Sequence, residues 1–292
     1  MRASVAALAL LAAACGGPRP LVSEIDVIAG PVSAADREQL ESALRTLEEL
    51  DRSGDLAYLR AGECGDEPIE CGITMPGDGL SSKDGSDDDG ADIIGDLDTS
   101  PDSTRCNDRC VAAWTRLTQV RAIRERLERE STTPGILVPF RRAVARLSPD
   151  AVPDDACHAT PEAEVRAQAA VLSHLFELDP VPLTTFYAVG AHAGDVPCLS
   201  VPTLSGHVPI EAVRSLRGLP EPPSHTNRVA VIGLSMSGGS RELGGSRGRF
   251  EHVVAEEVAF FCGELCGGGD QYMVGFFGGY WQVVEVIGSW VS

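Results

Sequence analysis

Nine cysteines carry the most legible chemistry in this chain. Eight fall into spaced sets: Cys64 and Cys71, Cys106 and Cys110, Cys157 and Cys198, Cys262 and Cys266. None of these spacings makes a zinc ribbon or finger, and the scattered His158, His174, His192 and His207 form no His-Glu-x-x-His cluster. Disulfides are therefore the expected chemistry, and they belong to an oxidising, exported setting. Connectivity is not read from spacing alone, so local pairs and pairs that cross the loop between them both stay open. The Cys262-Gly-Glu-Leu-Cys266 stretch also raises thiol–disulfide exchange. A catalytic pair sits at a helix N-terminus, whose dipole favours the thiolate. Here Phe260-Phe261 and the following glycines place the cysteines at a strand end entering a turn, and Glu264 disfavours a thiolate, so a structural bridge is expected.

Carboxylates form the second candidate group. Residues 63–108 hold 14 acidic side chains against Lys83 and Arg105. At their centre Asp84, Asp87, Asp88, Asp89 and Asp92 could chelate calcium, a hard cation that takes carboxylate and carbonyl oxygen. The EF-hand pattern is not met, because Asp89 stands where its glycine belongs and no glutamate occupies the twelfth position. A solvated acidic insertion, with too little apolar surface to fold, is the expected state, and no cofactor is assigned.

Ser235 and Ser237 in Gly233-Leu-Ser-Met-Ser-Gly-Gly invite comparison with a nucleophile elbow. The elbow requires Gly-x-Ser-x-Gly on a strand-to-helix turn, and in either register a serine occupies one glycine position. The Gly/Ser-rich residues that follow cannot form the apolar helix the elbow needs. Lys83 is the only lysine, so Schiff-base and phosphate-loop chemistry lack a side chain. With 43 acidic against 24 basic residues, nucleic-acid phosphates would be repelled. A non-enzymatic binding or structural module is the leading expectation; a serine hydrolase, a thiol redox protein and a calcium-responsive module are the alternatives.

The elements that must position these groups follow from periodicity. Ser33 is an N-cap for a helix with Leu40, Leu44, Leu47 and Leu50 on one face, interrupted at Ser53-Gly54-Asp55. A second helix carries Trp114, Leu117, Val120, Ile123 and Leu127, with Arg116, Arg124, Arg126 and Arg129 interleaved by Glu125 and Glu128 on a face expected to be solvated. Pro134-Gly135 ends it, and 136–147 forms a short successor. Thr160-Pro161-Glu162 starts a further helix with Val165, Ala169, Leu172 and Phe176 as its stripe.

The last stretch is β-rich, with strands over 229–236, 250–261, 272–277 and 280–287 and a tight turn at Gly278-Gly279. Glu256-Glu257 breaks the alternation, which a bulge or a solvated edge would absorb. The fold class expected is α+β: a disulfide-stapled helical N-terminal region followed by a C-terminal antiparallel sheet of about four strands. The organisation reads as a signal peptide over 1–14, a tether over 15–32, a helical region over 33–150 with the acidic insertion 63–108, a helix plus Pro/Gly-rich segment over 151–227, and a β cassette over 228–292.

Two resemblances add to this. Phe261-Cys-Gly-Glu-Leu-Cys-Gly-Gly-Gly, with the hairpin after it and the terminal Trp290-Val-Ser, resembles a module of uncharacterised secreted bacterial proteins, and implies a fold but no catalytic residues. Met1-Arg2, the apolar run Ala3–Ala14 and Ala12-Ala-Ala-Cys15-Gly16 resemble a bacterial lipoprotein signal. That likeness implies a lipidated Cys15, which leaves an even eight cysteines for disulfides. It also implies a membrane partner through the anchor and a place in the cell envelope. Gly16, in place of the aspartate that retains such proteins at the inner membrane, points to the outer one.

Overall fold

The computed structural model describes residues 19–28, 31–64, 107–133, 135–149, 163–181, 184–194, 196–219, 229–233, 241–242, 252–263, 266–277 and 280–291. It is an α+β fold in which helices come first and a sheet closes the chain.

A 3-10 helix, Leu21–Val27, opens the described chain, and Leu21 and Ile25 sink into the helical core. A free tether therefore reaches no further than Pro20. α1, Ala34–Arg52, starts where Ser33 Oγ accepts the Asp36 amide at 3.0 Å, as its N-cap role requires. Leu40, Leu44, Leu47 and Leu50 are fully buried, each contributing about 1.5–3 kcal/mol over an exposed side chain. Gly54, at φ 76°, breaks the helix and starts α2, Asp55–Arg60. α3 runs from Asp108 to Glu130, with Asn107 Oδ1 accepting the Cys110 amide at 2.9 Å. α4 is Val138–Leu147, and α5 is Ala163–Phe176.

Cys64 is bonded to Cys110, which ties the end of the α2 region to the first turn of α3. The bridge crosses the acidic insertion, so neither cysteine pairs with its sequence neighbour. Its 46-residue separation closes the insertion at its base.

The strands are β1 (Phe186–Val189), β2 (Pro202–Thr203), β3 (Gly206–His207), β4 (Ile210–Val213), β5 (Val229–Ile232), β6 (Arg241–Glu242), β7 (His252–Gly263), β8 (Cys266–Phe277) and β9 (Tyr280–Val291). Between β1 and β2 lies one helical turn, α6 (Val196–Leu199). Among the described residues six strands follow in the order β4-β1-β5-β7-β8-β9, with β6 paired to β7, while β2 and β3 form a small separate hairpin. The expectation of about four antiparallel strands is corrected in two ways. β1 and β4, from the Pro/Gly-rich segment, add two strands, and β1 runs parallel to both β4 and β5, so the sheet is mixed. At four residues each they are too short to show alternation in sequence.

Three local expectations change as well. β5 ends at Ile232 because Gly233 turns to φ 78°, where an added Cβ would lie 2.6 Å from Gln168 Nε2. The glycines after Cys266 form the start of β8 rather than a turn. The β7 irregularity falls between Phe261 and Gly263, whereas Glu256 and Glu257 stay in register opposite Tyr272 and Gln271. Both glutamates are buried, so neither lies on a solvated edge.

One core cluster gathers α1 to α4 around Trp114, Phe140 and the leucines; a second packs α5 against the sheet through Val171, Leu172, Phe186, Val258 and Trp281. No helix among the described residues is long and apolar enough to cross a membrane.

Candidate functional site

Where the two cores meet, charge is buried. On α3, Arg124 and Glu128 lie one turn apart and are 2% and 1% exposed, so two residues of the face expected to be solvated are instead inside the protein, while Arg116 and Arg129 stay exposed. Arg124 Nε donates to Glu177 Oε1 at 2.7 Å, and Nη1 donates to Glu128 Oε2 at 3.1 Å and to the His174 carbonyl at 3.2 Å. His174 Nδ1 stands 2.6 Å from Glu128 Oε2. Two acceptors would repel at that separation, so Nδ1 carries the hydrogen and its 3.1 Å approach to Arg124 Nη1 is a contact between donors. Burial works to raise the Glu128 pKa, but Arg124 and then His174 outweigh it and hold the carboxyl below the usual carboxylate range. Two carboxylates hold Arg124 in the charged state in turn: burial works against it, and Glu128 with Glu177 prevail. Glu177, at 1% exposed, completes the buried set from just past α5.

Glu128 also reaches the sheet. Its Oε1 accepts the Val283 amide at 3.3 Å, and two residues earlier on the strand Arg141 Nη2 donates to the Trp281 carbonyl at 3.2 Å. β9 is the last strand in the order, so these two side chains satisfy backbone groups that an edge strand leaves open.

Beside this seam lies a cleft of about 200 Å³ between α4, α5 and the start of β9. Arg141 comes from α4, Arg166, Ala169 and Ala170 from α5, and Tyr280 and Trp281 from β9. Helical spacing puts Arg166, Ala169, Ala170 and then Ser173 on one face of α5, and the two alanines leave the space that larger side chains would fill. Tyr280 is seated on Gly135, where a Cβ would stand 2.8 Å from its ring, so only glycine lets the α4 turn and β9 approach this closely. Arg141 has two neighbours on its helix that pair with Glu24: Arg142 at 3.7 Å and Arg146 at 2.9 Å. Among the described residues neither Arg141 nor Arg166 makes an ion pair. Ser173 lines the cleft too, but no other lining side chain is a carboxylate or imidazole that could take its proton. The described lining offers guanidinium groups suited to the recognition of negative charge.

A further polar group lies across the sheet. Trp290 Nε1 donates to Glu257 Oε1 at 2.8 Å and Gln271 Nε2 to Glu257 Oε2 at 3.1 Å. The indole reaches Glu257 by crossing Gly269, where a Cβ would lie 2.8 Å from Trp290 Nε1 and 2.8 Å from the Val258 carbonyl.

The residues singled out in sequence fare unequally. Cys64 and Cys110 are joined, Cys198 is buried in α6, and Cys266 is disulfide-bonded. Cys15, Cys71, Cys106, Cys157, Ser235, Ser237, and Asp84, Asp87, Asp88, Asp89 and Asp92 lie outside the described residues, as does the Cys262 side chain. Of the histidines, His174 joins the buried cluster, while His192 follows β1 and His207 ends β3. No group of three or more His, Cys, Asp or Glu side chains that could hold a metal occurs among the described residues. Arg141 and Arg166 had not stood out in sequence. Arg166-x-x-Ala-Ala-x-x-Ser is a readable stripe, but nothing in the run Arg141-Arg142 says which of the two turns inward. No family model, curated protein or solved structure matches the chain.

Proposed function

We propose that this chain is an exported, non-enzymatic binding module, anchored through a lipid on Cys15 at the outer membrane of the cell envelope. The binding part of this reading is carried by one observation: two arginines that make no ion pair among the described residues converge on one cleft in a chain of net charge −19. Their guanidinium groups line the same open cleft, and two donor forks converging there suit an external anion. Export is supported by the Cys64–Cys110 disulfide, since such bridges persist in oxidising compartments. The anchor is supported by the apolar start and Ala12-Ala-Ala-Cys15-Gly16.

The anchor is tested by intact-mass analysis and membrane fractionation of the natural protein beside Cys15→Ser. The expected mature chain begins at Cys15, carries acyl mass, sediments with the outer membrane and presents no alkylatable thiol; Cys15→Ser releases it to the soluble fraction. A mature chain with an unmodified Cys15 thiol overturns the anchor.

A further inference from the structure

We infer that the α4–α5–β9 cleft binds a small carboxylate with a flat apolar body, an aromatic or short-chain organic acid. The inference builds on the binding reading above and adds the ligand's chemistry. Its walls are of two kinds. Arg141 and Arg166 present guanidinium groups, whose planar donor forks match a carboxylate and need no proton transfer to bind it. Ala169, Ala170 and the Tyr280 and Trp281 rings supply most of the remaining lining, with Ser173 beside them, and they favour an apolar body over a fully hydrated inorganic anion.

Size narrows the class. A cleft of about 200 Å³ lies below the range of sites for drug-sized molecules, and has room for a body of roughly ten non-hydrogen atoms. Polymers and phospholipids are excluded as wholly enclosed ligands. Charge sets the orientation. Arg166 is exposed, whereas Arg141 is half-buried and fixed by its bond to the Trp281 carbonyl. The carboxylate therefore sits between a fixed inner guanidinium and a mobile outer one, with the body against the alanines. Glu128 and Glu177 are two buried carboxylates against the single Arg124 guanidinium, and Arg141 adds to the positive charge that holds Glu128 ionised. Its guanidinium lines the cleft as well.

Two positions separate the charge from the shape of the site. Arg166→Gln removes the outer guanidinium from an exposed helix position and leaves the packing intact. Ala169→Leu fills the cleft and leaves both arginines.

The probe is benzoate, titrated into the full-length mature protein by calorimetry and followed by tryptophan fluorescence, to which Trp281 contributes from the cleft wall. Benzamide serves as the neutral isostere and inorganic phosphate as the anion without an apolar body. The expected result is saturable benzoate binding in the millimolar range or tighter, at least tenfold weaker in Arg166→Gln, lost in Ala169→Leu, and absent for benzamide. Thermal midpoints of both variants within a few degrees of the parent show that the fold is kept. If Ala169→Leu does not fold, the Arg166→Gln and benzamide arms still decide the charge requirement. Phosphate binding as tight as benzoate overturns the apolar-body assignment, and no saturable benzoate binding overturns the site. Either result leaves the Cys15 anchor standing, because fractionation reads it independently.

Discussion

Replacing Arg124 with methionine should cost the fold about 3–5 kcal/mol, because it leaves two carboxylates buried without their counter-charge. Glu128 and Glu177 are each 1% exposed, and Arg124 holds them at 3.1 and 2.7 Å. Methionine fills much of the volume, so the loss is electrostatic rather than a cavity. For a chain of this size the thermal midpoint should fall by roughly 10 °C. Urea unfolding followed by tryptophan fluorescence measures the loss, with an unchanged m-value confirming that the same structure is unfolding. The pH dependence carries a distinct sign. In the parent the Glu128 carboxyl lies below its ordinary range, so its stabilisation is complete above that range and is lost as pH falls through the depressed value. In Arg124→Met the largest opposing charge is gone and burial shifts the balance toward the protonated carboxyl, so the gap between variant and parent should narrow on acidification from pH 7 to pH 5. Arg109→Met is the control. Its 2.8 Å pair with Asp55 is half exposed on the arginine side, and such pairs are worth less than about 1 kcal/mol. A loss below about 1 kcal/mol at Arg124, equal at both pH values, would refute the buried-charge account.

Four further outcomes follow from the same geometry. Cys64→Ser with Cys110→Ser should lower stability by about 4 kcal/mol on the chain-entropy account, given the 46-residue separation, as read by urea midpoint under non-reducing conditions. Trp290→Phe keeps a ring near Phe261 but takes the donor from buried Glu257, and should cost about 1–3 kcal/mol; an equal loss in Trp290→Phe with Glu257→Gln would show that the bond is not the cause. Gly269→Ala forces a Cβ onto the Val258 carbonyl and should cost about 1–3 kcal/mol, with broadened amide resonances for β8 and β9. The Tyr272 hydroxyl, raised by burial and then by Asp270, should resist ionisation in a spectrophotometric titration until the protein unfolds, while Asp270→Asn should bring it down.

Much of the helical half was legible from residue spacing. The leucine stripe of α1, the Ser33 cap, the break at Gly54 and the apolar face of α3 all rest on interactions within one or two turns, which a linear sequence displays directly. Most of β7, the second half of β8 and the first part of β9 were legible too, since aromatic and β-branched runs mark a pleated surface, whereas the glycines that open β8 carry no such signal. The odd cysteine count and the acidic insertion likewise needed no coordinates, because they are matters of composition. What the chain by itself left open is long-range. Whether Cys64 meets Cys71 or Cys110 depends on where α2 and α3 end relative to each other. The alternation of Arg124, Glu125 and Glu128 looks the same on a solvated helix as on one covered by Glu177 and the edge of β9. Burial is a property of what packs against a residue, so only the tertiary structure turned a charged face into an interior cluster. It alone turned Arg141 inward, away from Glu24, and set it with Arg166 around a cleft that belongs to three separate elements.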